Sequence, residues 1–371
     1  MRLPRPLASP RADAAAPPQD RERPRRSREF HTYTYMNIHQ ETLMTLHRYA
    51  RAATAALLAA GTAWALPAAH AASGTYPDKP ISLVVPFPAG SGTDAVGRIF
   101  ANELSQRLGQ QIVVENKPGA NATIAANYVA RAKPDGYTLF VTTNTSHSAA
   151  PWLMKNVPYD PVKDFTPVAR GGNLPFILVV NPKLPYKTVG ELIAAAKAAP
   201  GRITYASGNS TGIVAGATLA RRAGIDLLHV PYKGTPQAMT DLVGGQVDFM
   251  FTDLASGLPF VQSGQVRALA VSTATRSAIV PELPSMKEAG VQDFDLNSWN
   301  GFFGPAGLPP EVVTRLNTAI NQIVADPAIK KRLADLGFDA FSGTPQDFGQ
   351  FVAGERDLWG RLIRDANIQP Q

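Results

Sequence analysis

Between residues 81 and 272, short apolar runs rich in β-branched residues alternate with helical stretches, and the runs end in Pro/Gly or polar turns. No other feature restricts the fold as tightly. A run of four or five apolar residues without polar alternation fits a strand buried on both faces, as in a sheet covered by helices on each side. Ile81–Val85 is the first such run, followed by a Pro/Gly turn and a helix predicted from Thr93 to about Leu108. Ile112–Glu115, Tyr137–Val141, Phe176–Val180, Ile203–Ser207, Leu227–Pro231, Val247–Phe251 and Val266–Ser272 continue the pattern. Thr188 and Glu191 have capping-box spacing, which predicts a helix over 189–198. The C-terminal part reads as helical after Pro309-Pro310 and again near Thr344. The pattern predicts an open α/β sheet. A run of βα units this long exceeds one ordinary core, so two lobes are expected over a single sheet domain, with hinges near 172–180 and 268–280.

The sequence before residue 72 has a different character. Its 71 residues hold ten Arg and five Asp or Glu, whereas the following 300 carry 26 Lys or Arg against 24 Asp or Glu. The later part therefore lacks the concentrated positive charge of a nucleic-acid-binding body. Met44–Arg51 supplies a basic region, Ala52–Leu66 a short apolar one, and Ala69-His70-Ala71 an Ala-x-Ala site. Together they predict a secretory signal cleaved after Ala71, with a retained anchor as the alternative. Because such a signal normally stands first, translation is expected to begin at Met36 or Met44. No Cys occurs, which excludes disulfides and thiol chemistry but is compatible with export in a body this large. Only His147 and His229 follow residue 71, so a His-rich zinc site is ruled out. No P-loop, dinucleotide fingerprint or nucleophile elbow is present, and neither a cofactor nor an enzymatic activity is expected. A Ser207–His229–Asp253 triad can be written from residue types alone, without a motif to support it.

The sharpest local feature is Val85-Pro86-Phe87-Pro88-Ala89-Gly90-Ser91-Gly92-Thr93-Asp94, which runs from a strand end through a permissive turn into a helix start. Such a turn exposes several backbone N–H groups, and a helix N-terminus favours an anion. It reads as a carboxylate cradle or as a plain structural βα turn. Asp94 is expected to order the turn rather than touch an anion. Thr145, Ser146 and His147 form a second polar loop after a strand, available for ligand contacts or for capping and structural bonds. Ser207-Gly208-Asn209-Ser210-Thr211 repeats the strand, polar turn and helix pattern. Several such turns converging in a cleft would bind a small polar ligand. Lys233 is expected to attract an anion or to stand in solvent. Asp253 is expected to orient polar groups in the cleft or to cap the next helix.

Tyr76–Ile81, Val85–Asp94, Val114–Ala120, Pro134–Leu139, Pro158–Phe165, Val230–Gly234, Gly244–Val247, Trp299–Phe303 and Pro305–Gly307 follow one another in an order and spacing that extend over nearly the whole chain from residue 76. In these stretches the chain resembles the substrate-binding receptors of tripartite tricarboxylate transporters, also called the Bordetella uptake gene family. The resemblance implies a type II periplasmic-binding-protein fold, two α/β lobes with a ligand cleft between them. Lobe one would be 75–172 plus 276–371, and lobe two 173–275. It also implies that the first-loop backbone at Ala89, Gly90, Ser91 and Gly92 holds a ligand carboxylate, with the Thr145–His147 and Ser207–Thr211 loops completing the pocket. Two departures stand out: Ser91-Gly92 replaces a common Gly-Ser, and the third loop is shorter and lacks a His just beyond it.

The function so implied is capture of a small carboxylate in the periplasm of a Gram-negative bacterium. The ligand would be a di- or tricarboxylate, an acidic amino acid or an aromatic acid, delivered to a two-component inner-membrane permease. A periplasmic sensor reporting to a membrane signalling partner is the alternative. A monomer is the simplest expectation for a receptor that closes on its ligand.

Overall fold

In the computed structural model, which describes residues 76–341 and 343–371, each apolar run forms or overlaps a strand. The expected signal sequence and cleavage site lie outside the described residues. Strand β1 (Ile81–Val85) pairs in parallel with β2 (Ile112–Asn116) on one side and β3 (Thr138–Thr143) on the other. Side-chain alternation across this sheet feeds two cores. Ile81, Leu83 and Val85 pack with α1 (Gly92–Leu108), whereas Val84 packs on the opposite face with α2 (Thr123–Ala130). Helix α1 starts at the Ser91 N-cap and stops at Gly109, whose φ of 70° is the left-handed C-cap conformation that glycine adopts without a Cβ penalty.

After the short α3 (Ala150–Leu153), the second lobe repeats this plan. β5 (Thr204–Ser207) lies between parallel neighbours β6 (Leu228–Pro231) and β7 (Phe249–Asp253). Its two faces are covered by α4 (Val189–Ala198) and α5 (Ser210–Ala223) on one side and by α6 (Thr235–Gly244) and α7 (Leu254–Gln262) on the other. Helix α4 begins with the capping box read from the sequence: Glu191 N–H donates to Thr188 Oγ1, and Thr188 N–H donates to Glu191 Oε2.

One strand belongs to both sheets. β4 (Phe165–Val180) runs for 16 residues, antiparallel to β9 (Asn297–Pro305) in its first part and to β7 and β8 (Arg267–Val271) in its last. Its change of partner near Pro175–Phe176 lies within the expected hinge at 172–180. Phe176, Leu178 and Val180 then enter one core of the second lobe and Ile177 and Val179 the other, which is the period of a strand buried on both faces. The chain is thus a two-lobed α/β protein with type II periplasmic-binding-protein architecture.

The segment expected to open the second part of lobe one packs elsewhere. Val271 N–H donates to Pro284 O at 2.9 Å, Met286 N–H to Val271 O at 3.0 Å, and Ser272 Oγ to Leu296 O at 2.6 Å. Met286, Val291, Phe294 and Leu296 join Phe249 and Phe251 in a core of lobe two. These contacts correct the boundary drawn at 276 and move the second hinge from 268–280 to the start of β9. The physical reason is burial: this Pro- and Gly-interrupted stretch carries four large apolar side chains that pack with Phe249 and Phe251 of the second sheet, in a cluster that Ala149, Leu153, Trp359 and Ile363 also join. The chain then returns to lobe one through β9, α8 (Pro310–Ala325), α9 (Pro327–Asp335), β10 (Asp339–Ala340) and α10 (Pro345–Asp365).

Candidate functional site

In sheets where a central strand connects to neighbours on both sides, a crevice forms outside the carboxyl ends of the strands. Here β1 and β5 are such strands, and their carboxyl ends face each other across the interlobe cleft. Phe87, Ser91, Gly92, Thr93 and Thr145 from lobe one meet Asn209, Thr235 and Asp253 from lobe two around a gap of about 10 Å³. Phe87, Thr145 and Asn209 also line a cavity of about 280 Å³, whose further walls include Asn121, Tyr232 and Lys233.

Four helices point their N-termini at this cleft. Ser91 Oγ caps α1 by accepting from Asp94 N–H, Asn209 Oδ1 caps α5 by accepting from Gly212 N–H, and Asp253 Oδ1 caps α7 by accepting from Ser256 N–H. Helix α6 starts at Thr235 with no side-chain cap. Each N-terminus carries roughly half a positive charge from aligned peptide dipoles, so the cleft favours an anion without a dedicated cation at its centre. The Thr93 N–H in the first turn of α1 has no acceptor among the described residues.

Among the described residues, two hydrogen bonds cross the cleft. Gly92 N–H donates to Ser256 Oγ at 2.8 Å, and Asn144 Nδ2 donates to Thr211 Oγ1 at 2.9 Å. Asn144 Oδ1 in turn accepts from Ser298 Oγ at the start of β9, which ties the loop after β3 to the hinge. Gly92 is required by close approach, since a Cβ there would collide with the Asp253 carboxylate and lie 3.1 Å from Ala255 Cβ. Burial pushes the Asp253 carboxyl above its ordinary range, against the opposing hydrogen bonds from Ser256.

The remaining residues singled out in the sequence are placed differently. Ala89 and Gly90 are exposed, and Gly90 N–H donates to Asp94 Oδ2 at 2.9 Å, so this donor holds the turn. Asp94 is buried and also accepts from Arg98 Nε and Asn116 Nδ2. Burial alone would raise its pKa, but bonds from Arg98, Asn116 and Gly90 hold it below the ordinary carboxylate value. Ser146 and His147 are turned away from the cleft. The π turn Thr145–Ala149 rotates His147 between aromatic rings, with centroids 4.1 Å from Phe303 and 4.6 Å from Phe165. Burial pushes the His147 pKa down to about 3, and Ser146 Oγ is held by Thr142 Oγ1 and His147 Nδ1. These geometries correct the expected ligand contacts at Ser146 and His147.

In the third loop, Ser207 Oγ bonds to His229 Nε2 at 2.7 Å, Ser210 Oγ is buried without a partner among the described residues, and Thr211 is the acceptor of the Asn144 bond. The Asp253 carboxylate bonds to Ser256 and not to His229, so the three residues written in chain order form no triad. Lys233 is exposed at the wall of the larger cavity and makes no ion pair among the described residues. No group of three His, Asp or Glu able to hold a metal occurs among the described residues. Asn144, Thr235, Ser256 and Ser298 join the site beside the candidate residues. Asn144 stood in a polar loop already noted, Ser256 occupies the third position after a capping Asp, and Ser298 lies on a strand that Asn and Gly residues disguise.

Two α/β lobes that direct helix N-termini into a shared cleft define a solute-binding protein. The family model for the tripartite tricarboxylate transporter family receptor matches residues 96–368, and the chain belongs to that family. Its members are periplasmic solute-binding proteins of transport systems, not enzymes. A Bordetella bronchiseptica protein of the UPF0065 group is 40% identical over 308 residues, covering 83% of this chain and 91% of the relative. R. palustris Rpa4515, solved with adipate, superimposes with a TM-score of 0.78 at 34% identity, covering 80% of this chain and all of that one. Rhodopseudomonas palustris MatC with bound malate gives a TM-score of 0.72 at 33% identity, covering 78% of this chain and 100% of that one.

Proposed function

We propose that this protein captures a small carboxylate in the periplasm and delivers it to a two-component inner-membrane permease of the tripartite tricarboxylate type. The observation that carries the reading is the convergence of four helix N-termini on one interlobe gap. Preorganised N–H and hydroxyl dipoles offset the dehydration of a carboxylate without a buried cation. The solved relatives holding adipate and malate support a ligand of the same chemical class. A gap of about 10 Å³ cannot accept a carboxylate group, so the lobes part to admit the ligand and the Gly92–Ser256 bond opens. The ligand carboxylate then takes the place of Ser256 Oγ before Gly92 N–H and Thr93 N–H, and bridging favours the closed population that the permease recognises. In this reading the protein is exported by a signal cleaved after Ala71 and acts as a monomer. Differential scanning fluorimetry of residues 72–371 against di- and tricarboxylates, acidic amino acids and aromatic acids tests the proposal. A saturable rise in the unfolding midpoint confined to one acid class, confirmed by calorimetry, is the expected result. Stabilisation by neutral or cationic solutes, with none by acids, would overturn it.

A further inference from the structure

Helix α2 buries Ala125, Ala126 and Val129 in the core of lobe one. Its opposite face carries Ile124, Asn127, Tyr128 and Arg131, spaced i, i+3, i+4 and i+7 along one stripe. On an ordinary solvent face such positions are polar. Here Ile124 is 53% exposed and Tyr128 46%. The stripe walls a groove of about 630 Å³ against Lys133, Asp135, Tyr137 and Thr138. Asn127 Oδ1 is buried within this region and has no hydrogen-bond partner among the described residues. Arg131 and Lys133 are exposed and make no ion pair among the described residues, and Lys117 Nζ stands 4.3 Å over the Tyr128 ring. Asp135, also on the groove wall, accepts from Tyr137 N–H, and Glu115 accepts from Ser82 Oγ and pairs with Lys117, so on the wall two cations stand against one acid. The groove therefore offers apolar contact, one unsatisfied acceptor and free positive charge.

Helix α2 leads from this groove to the wall of the 280 Å³ cavity beside the cleft. Ala120, Asn121 and Ala122 line that cavity, and their φ values of 46°, 49° and 68° are all left-handed, a conformation non-glycine residues rarely adopt in succession. Helix α2 begins at the next residue. The turn and the helix that carries Ile124 and Tyr128 are therefore continuous, and the cavity wall leads directly into the groove face.

We propose that this groove is the surface on which the membrane permease docks. Its occupant is an extracytoplasmic permease segment with apolar side chains for Ile124 and Tyr128, a donor for Asn127 Oδ1, and acidic residues facing Arg131 and Lys133. The inference rests on the transport reading above.

The test is photo-crosslinking of Tyr128→p-benzoylphenylalanine in the full receptor against the detergent-solubilised cognate permease, with Leu228, 54% exposed on lobe two, carrying the same group as control. An adduct to a permease subunit from position 128 and none from 228 is expected. The charge reversal R131E/K133E, shown to keep its thermal midpoint, should lower retention on the permease about ten-fold or more. A wild-type receptor that is retained while position 128 gives no adduct and R131E/K133E binds undiminished overturns the docking face alone. A wild-type receptor that the permease does not retain overturns the transport reading, and the docking surface with it.

Discussion

Gly92 and Ser256 stand on opposite lobes, and the backbone N–H of the first donates to the hydroxyl of the second at 2.8 Å. The bond closes the cleft at the point where two positive helix ends meet, with the Asp253 carboxylate packed against the glycine. Its strength matters less than its position. The same N–H serves the closed seam and, in the proposed mechanism, the incoming carboxylate.

Replacing this glycine should separate closure from folding. In Gly92→Ala the new Cβ collides with Asp253, so the lobes are expected to remain apart while each keeps its own cores. Small-angle scattering should show a larger radius of gyration, and calorimetry an affinity for the identified acid lowered about ten-fold or more. Unchanged values of both would show that the seam has no part in binding.

The Asn144 carboxamide joins three elements, the loop after β3, the hinge at Ser298 and the N-terminus of α5. Asn144→Ala leaves a buried hydroxyl on each side without its partner, a loss of about 1–3 kcal/mol. Urea unfolding of Asn144→Ala against the wild type checks the expectation.

Acid sensitivity should trace to His147. Its folded pKa of about 3 lies below the ordinary 6.5, so between these values the unfolded chain binds the extra proton and stability falls as the pH drops. At 1.36 kcal/mol per unit the loss reaches about 3 kcal/mol near pH 4. His147→Phe, which fits among Phe165 and Phe303, should flatten this slope without altering ligand affinity. Asp94 acts in a lower window. Its folded pKa is depressed, so its contribution is present above the unfolded carboxylate value and disappears as pH falls through the folded one. Denaturation midpoints from pH 7 to pH 3 for His147→Phe and Asp94→Asn distinguish the two groups.

Lys233, exposed on the cavity wall, should act at long range. Lys233→Glu is expected to slow association of an anionic ligand and weaken its salt dependence, with a smaller effect on dissociation, as for other rim charges. Stopped-flow association at two ionic strengths decides this. A change confined to the dissociation rate would instead make Lys233 a direct contact.

Strand and helix positions could be read from residues 81–272 because local periodicity and caps specify them, as at Thr188 and Glu191. The N-terminal part of β4 and all of β9 were harder to see. Pro167, Gly171 and Gly172 interrupt the first, and Asn300, Gly301 and Gly304 the second, yet both pair along their length. Gly301 is small for a packing reason, since a Cβ there would strike the Phe348 ring. The three polar turns were legible as turns. Which of their side chains reach the cleft was not.

The sequence by itself determined the α/β class, the succession of strands and helices, the capping turns and the family, because each is written in local spacing or in motifs kept in order. Only the tertiary structure decided that Thr145 faces the cleft while His147 enters an aromatic core, that residues 276–296 belong to lobe two, and that Gly92 meets Ser256. Those outcomes depend on what packs beside a residue, and the Ser256 hydroxyl lies 164 positions along the chain from the glycine it meets. Local periodicity gives the face of an element, and the opposing surface settles what that face becomes.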